Sequence, residues 1–149
     1  MRLLALDLGT KTGWCAGTLE TNISGTQGFQ PQRFEGGGMR FLRFHRWLDE
    51  LQGAADFDEC VYEEVRNHKG VDAAHIYGGL WGALTSWCEA KKVPYIGVPV
   101  GTIKKFATGK GNASKEEVIA ACVEWGYAPE DDNEADAIAL FRQYASLLS

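Results

Sequence analysis

The run Leu3-Leu4-Ala5-Leu6-Asp7-Leu8-Gly9-Thr10, continued by Lys11-Thr12-Gly13-Trp14-Cys15-Ala16-Gly17, constrains this chain more than any other stretch. Apolar residues carry one acid, Asp7, towards the interior. The run breaks at Gly9, and a second apolar stretch returns from Gly13. The pattern predicts a strand over 2–8, a tight turn, and an antiparallel partner over 13–19. An ionised carboxylate on a core strand is costly unless a positive charge meets it, and the usual partner at such a place is a metal or a substrate cation. Asp7 is therefore read as the first anchor of a site. A side chain that only capped its own turn would need no further acids; a site would need several.

Length and composition bound where those acids can lie. A chain of 149 residues is expected to form one domain, residues 1–149, with a single core. No apolar run approaches membrane-spanning length, and no charged segment leads into a long apolar one at the N-terminus. Cys15, Cys60, Cys88 and Cys122 are scattered without a C-x-x-C pair. This argues against a zinc knuckle or a disulfide framework and predicts a reducing, cytoplasmic setting. His45, His68 and His75 make no metal-ligand spacing. The net charge of −5 conceals a segregation: six lysines and no acid lie between Lys91 and Lys115, then eight acids and no Lys or Arg between Glu116 and Asp136. Cations beside carboxylates are what a metal-dependent phosphodiesterase requires, although a solvated basic face next to an acidic helix has the same composition.

Taken in order, the chain reads as α/β. Gly25 and Gly28 punctuate a third strand reaching Phe34, and Gly36-Gly37-Gly38 is a break. Phe41, Phe44, Leu48 and Leu51 then mark an amphipathic helix ending near Gly53, with Arg40, Arg43 and Trp47 on another face, free for solvent or nucleic acid. Glu59 to Val65 is a core strand. Its side chains alternate, so Glu63 and Glu64 face opposite ways, and Glu63 shares the face of Val61 and Val65. Residues 71–91 form a long helix whose small residues Ala74, Gly78, Gly82 and Thr85 let another backbone approach, within the domain or across a dimer. A strand over 93–100, a short helix over 101–108 carrying Lys104 and Lys105, and a loop at Gly109-Lys110-Gly111-Asn112 follow. Ser114 with Glu117 forms a capping box for a helix running to about Trp125. The last helix starts within 131–134 and runs to about Leu147. Asp132 and Asp136, four apart, project about 40° from one another on it. Asp136 sits among Ala135, Ala137 and Ile138, where a solvated acid is unexpected.

The order Asp7, Glu63, Asp132/Asp136 resembles the RuvC-type Holliday junction resolvases of the ribonuclease-H-like superfamily, over nearly the whole chain. Leu-Ala-Leu-Asp7-Leu-Gly-Thr-Lys-Thr-Gly13 is similar to the family's first-strand Asp and glycine turn, and Val-Tyr-Glu63-Glu-Val to its fourth-strand motif. Lys104 and Lys115, flanking Gly109-Lys-Gly-Asn-Ala-Ser, match the spacing of its two functional lysines. Asn133-Glu-Ala-Asp136-Ala-Ile-Ala-Leu resembles its C-terminal acidic motif. The resemblance implies a mixed five-stranded sheet, three antiparallel N-terminal strands plus two parallel ones, flanked by helices. It implies a homodimer that resolves four-way DNA junctions by paired symmetric nicks, hydrolysing phosphodiesters with two Mg²⁺ ions for which Mn²⁺ substitutes. Asp7, Glu63, Asp132 and Asp136 would hold the metals, Lys115 would act at the scissile phosphate, and Arg66, Lys104, Lys105 and Lys110 would contact DNA.

Two departures mark a divergent, phage-type member. Asn133 stands three residues before the final Asp, with Asp132 one earlier, and Arg66 stands where the bacterial enzyme has an aromatic that inserts at the junction. Asp-Leu-Gly-Thr-Lys-Thr-Gly also resembles the phosphate loop of actin- and hexokinase-type proteins, but those need a second such domain. A nuclease acting on other branched DNA or RNA, or an inactive junction-binding module, would carry similar motifs.

Overall fold

The computed structural model describes residues 1–148. Five strands form one sheet in the order β3-β2-β1-β4-β5: β1 (Leu3–Asp7), β2 (Lys11–Gly17), β3 (Asn22–Gly28), β4 (Glu59–Glu64) and β5 (Tyr95–Pro99). β1 pairs antiparallel with β2, and β2 with β3, whereas β4 runs parallel to both β1 and β5. The helices are α1 (Gly38–Ala55), α2 (Val71–Lys91), α3 (Val100–Thr108), α4 (Lys115–Glu124) and α5 (Asp132–Ser146). This is the α/β arrangement of three antiparallel and two parallel strands expected from the sequence. No helix among the described residues is long and apolar enough to cross a membrane.

Strand alternation builds two cores, one on each face of the sheet. Leu4, Leu6 and Leu8 pack with Phe44 and Leu48 of α1 and with Leu80 and Leu84 of α2. Leu3 and Ala5 face the other way, onto Val118 and Cys122 of α4 and Ile138 and Phe141 of α5. β4 divides likewise: Cys60 and Tyr62 join the first core, Val61 the second. Each buried leucine is worth ~1.5–3 kcal/mol, and a one-residue slip would turn every one of them to the wrong face. The register is therefore strongly held, and it places Asp7 and Glu63, the next residues on the Ala5 and Val61 faces, towards α5.

The structure revises three expectations. β3 ends at Gly28 rather than reaching Phe34. Past the buried Phe29, Pro31 offers no N–H to continue a ladder, and the chain turns at Gln32–Glu35, where the Glu35 N–H donates to the Gln32 carbonyl at 3.0 Å. α1 continues through Gly53 to Ala55 and stops at Asp56, which takes a left-handed conformation. There the Gln52 amide clasps the Phe57 backbone, accepting its N–H at 2.9 Å and donating to its carbonyl at 3.1 Å. Trp47 is not free on the helix surface but partly buried: its ring meets Trp14, Phe29 and Phe44 in an aromatic cluster.

The small residues of α2 also divide. A Cβ at Gly79 would lie 2.4 Å from the Phe41 ring, so that glycine admits α1, whereas Gly78 and Gly82 open outward beside the half-exposed Trp81. The capping box is present as expected. The Ser114 hydroxyl accepts the Glu117 N–H at 3.2 Å, and the Glu117 carboxylate accepts the Ser114 N–H at 3.2 Å.

Candidate metal centre

β1, β3, β4 and β5 share one direction, so their C-terminal ends emerge at one end of the sheet. In the parallel register Leu6 pairs with Tyr62, and one step on Asp7 and Glu63 stand side by side. On its other side Asp7 pairs with Gly13 of β2. A Cβ at Gly13 would lie 1.8 Å from the Asn133 carbonyl oxygen and 2.3 Å from its carbon. The first turn of α5 therefore rests directly on the β2 backbone, and this close approach brings Asp136 over the strand ends. One carboxylate oxygen from each of Asp7, Glu63 and Asp136 lies within 4.8 Å of the others. Asp7 is not spent on capping its turn. The Thr12 hydroxyl does that, donating to the Gly9 carbonyl at 2.7 Å.

Three acids so close repel one another. Burial first, then the charge of Glu63, a hydrogen bond that protonated Asp7 donates to Glu63, and the charges of Asp136 and Asp132 raise Asp7 well above the usual carboxylate range. Burial, then Glu63 and Asp132, push Asp136 up to about 7, against the opposing pull of Lys104 and Lys115. Between about pH 4 and the raised values the folded protein holds protons that the unfolded chain has lost, so stability falls as pH rises through that window. Without metal, the melting temperature is expected to decline as pH rises from about 4 through about 7, by calorimetry in EDTA. A divalent cation should flatten the decline, and a curve that rises over that range would show the acids to be fully compensated by the protein.

The acidic run before α5 divides by role. Asp131 caps the helix: its carboxylate accepts the Glu134 N–H at 2.9 Å and the Thr26 hydroxyl at 2.7 Å. Glu134, only 6% exposed, accepts from the Ser24 hydroxyl at 2.7 Å and the Glu130 N–H at 2.9 Å. These two acids pin α5 to β3. Asp132 and Asp136 face the site, and the Asp132 carboxylate sits 3.5 Å from Lys115 Nζ. Asp132 is thus a neighbour of the three-acid cluster, felt electrostatically by both Asp7 and Asp136. Asn133 contributes its backbone to the contact with Gly13.

The candidate cations divide too. Lys104, on α3, and Lys115, at the start of α4, act on Asp136. Lys110 pairs with Glu117 at 2.9 Å, Lys105 is exposed on α3, and the highly exposed Arg66, just past β4, pairs with Glu64 at 2.9 Å. One positioning contact has no local sequence signal. The Tyr77 hydroxyl of α2 donates to the Glu63 carbonyl at 2.8 Å and accepts the Val65 N–H at 3.3 Å, tying down the strand end that carries Glu63. Tyr77 neighbours Gly78 and Gly79 within one helix, and only the helix crossing shows which of them meets β4.

All three donors are carboxylates, with no His or Cys among them. Such a set suits a hard divalent cation, and the raised Asp7 and Asp136 show that the lysines alone do not compensate the charge. No protein-family profile matches the chain, and no curated protein matches it by similarity. Solved structures do. Thermus thermophilus RuvC in complex with a Holliday junction substrate superimposes with a TM-score of 0.83 at 21% identity, covering 99% of this chain and 94% of that one. Another Thermus thermophilus RuvC structure gives 0.80 at 22% identity, over 99% and 96%. The yeast mitochondrial Holliday junction resolvase gives 0.67 at 12% identity, over 99% and 80%. Across 99% of its length, this chain has the ribonuclease-H-like fold of the RuvC Holliday junction resolvases.

Proposed function

We propose that the protein is a structure-specific endodeoxyribonuclease that resolves four-way DNA junctions. The observation that carries this reading is the convergence of Asp7, Glu63 and Asp136 within 4.8 Å at the strand ends of this fold. Asp7, Glu63 and Asp136, with Asp132 one turn away, would hold two Mg²⁺ or Mn²⁺ ions, whose chemistry is to activate a water and stabilise the leaving oxygen in an in-line phosphodiester hydrolysis. Lys115 exchanges its contact with Asp132 for the scissile phosphate, and Lys104 neutralises the same backbone from α3. Arg66, Lys105 and Lys110 hold flanking phosphates, which makes affinity fall steeply with salt. Tyr77 keeps Glu63 in place while the DNA is bound. Two symmetric nicks need two sites, and the outward face of α2, with Gly78, Trp81, Gly82 and Thr85, is the surface on which a second copy packs.

Cleavage of a labelled four-way junction tests this, with matched duplex, flap and RNA–DNA hybrid in parallel, in Mg²⁺ or EDTA. Metal-dependent symmetric nicks near the crossover are expected. Preference for flap or hybrid would reassign the substrate, and tight junction binding without cutting in either Mg²⁺ or Mn²⁺ would make this a binding module. Scattering that finds only monomer on DNA would remove the dimer.

A further inference from the structure

The connection from β3 to α1 leaves the sheet at the end where Asp7 and Glu63 lie. Its start is fixed: the Phe29 N–H donates to the Thr10 carbonyl at 2.8 Å, three residues past Asp7, and the Phe29 ring is buried against Phe44 and Trp47. The chain then turns through Gln32-Arg33-Phe34-Glu35. Glu35 braces the turn. Its carboxylate accepts the Gln32 N–H at 2.7 Å and both terminal guanidinium nitrogens of Arg43 on α1. The turn is thus braced from α1, and its two central residues are Arg33 and Phe34.

Phe34 is 93% exposed, and the Arg33 guanidinium carbon lies 5.3 Å from its ring centroid. A single exposed apolar residue is ordinary on a protein surface. Here, however, a braced turn holds the ring out, and no packing within the fold uses it. The pairing suits one kind of ligand: a flat π-face joined to a negative charge. An unpaired nucleobase stacks on the ring while the guanidinium meets the adjoining phosphate. Base pairs stacked within duplex offer no such free face. A peptide or a second copy would bury the ring in a groove, whereas its neighbours in the turn, Gln32 and the Gly36-Gly37 pair, are polar or lack side chains.

We propose that Arg33 and Phe34 form a stacking finger that takes an unpaired or splayed base of branched DNA, from the connection that leaves the sheet at the end carrying the acids. This rests on the nuclease reading above. The test uses the full chain carrying Asp7→Asn, so that DNA is bound without being cut, with a four-way junction bearing 2-aminopurine at its central base pairs. Adding Phe34→Ala is expected to weaken junction binding roughly 5- to 100-fold, the loss of one stacked base, with duplex binding within about twofold. The fluorescence change of the central 2-aminopurine should be lost with it, and Phe34→Trp should restore both. Because the ring is exposed, the melting temperature should not move. Unaltered junction affinity and fluorescence in Phe34→Ala would overturn the finger, and would leave the nuclease reading intact if the native chain still cuts the junction. A native chain that neither binds nor cuts branched DNA would overturn both. A dimer that dissociates on Phe34→Ala would assign the ring to a second copy instead.

Discussion

Asp7→Asn is expected to lower the rate of junction cutting by about 10³-fold or more while raising the melting temperature in metal-free buffer near pH 8. The two effects share a cause. Asp7 stands between Glu63 and Asp136, and burial, Glu63 and then Asp136 make its charge unfavourable in the folded protein. Asparagine keeps the shape and removes the charge, so folding no longer has to hold three carboxylates within 4.8 Å. Each kcal/mol of relieved repulsion is worth ~2–4 °C in a chain of this size. The same charge is what a divalent cation needs, and losing ~4 kcal/mol of transition-state stabilisation costs about 10³ in rate. Single-turnover cutting and calorimetry in EDTA measure the two arms. The thermal difference should shrink as pH is lowered, because burial and the neighbouring acids favour the protonated Asp7 carboxyl in the parent, and added Mg²⁺ should raise the melting temperature of the parent more than that of the variant. A variant that melts below the parent would mean that the protein itself compensates the carboxylate. One that cuts normally would place the reacting centre elsewhere.

Gly13→Ala should be the most damaging small substitution in the chain. Its methyl group would sit 1.8 Å from the Asn133 carbonyl oxygen and 2.3 Å from its carbon, and both are backbone atoms that no rotamer change can move. Either β2 or the first turn of α5 must shift. The turn is held from the other side by Ser24 and Thr26 through Glu134 and Asp131, so a shift also loosens partly buried, charge-assisted hydrogen bonds. Overpacking of this kind costs ~3 kcal/mol, about 6–12 °C in melting temperature at this chain length. Asp136 rides on the same helix, so cutting should fall even where the variant remains folded. Denaturation and single-turnover cutting report the two losses separately. An alanine variant as stable and as active as the parent would show that α5 docks further from β2 than it does in this structure.

Much of this site is legible in one dimension. Asp7 on an apolar strand declares itself because a buried charge is costly unless a cation meets it, and strict alternation selects Glu63 over Glu64. The four-residue spacing puts Asp132 and Asp136 on one helical face, and the capping residues at Ser114 and Glu117 mark where α4 begins. All of these are short-range rules of period and solvation, and they hold wherever the rest of the chain lies. What only the tertiary structure decided depends on which surfaces meet. Spacing says nothing of the neighbouring acids Asp131 and Glu134, which contact with Thr26 and Ser24 makes structural. Gly13 reads as a turn residue until Asn133 is found upon it, and Tyr77 as a helix aromatic until it reaches Glu63. Phe34 reads as the end of a strand until Pro31 and the Glu35–Arg43 pair turn it outward. Each of these outcomes depends on contacts between residues from about 8 to 120 positions apart, which short-range period alone does not encode.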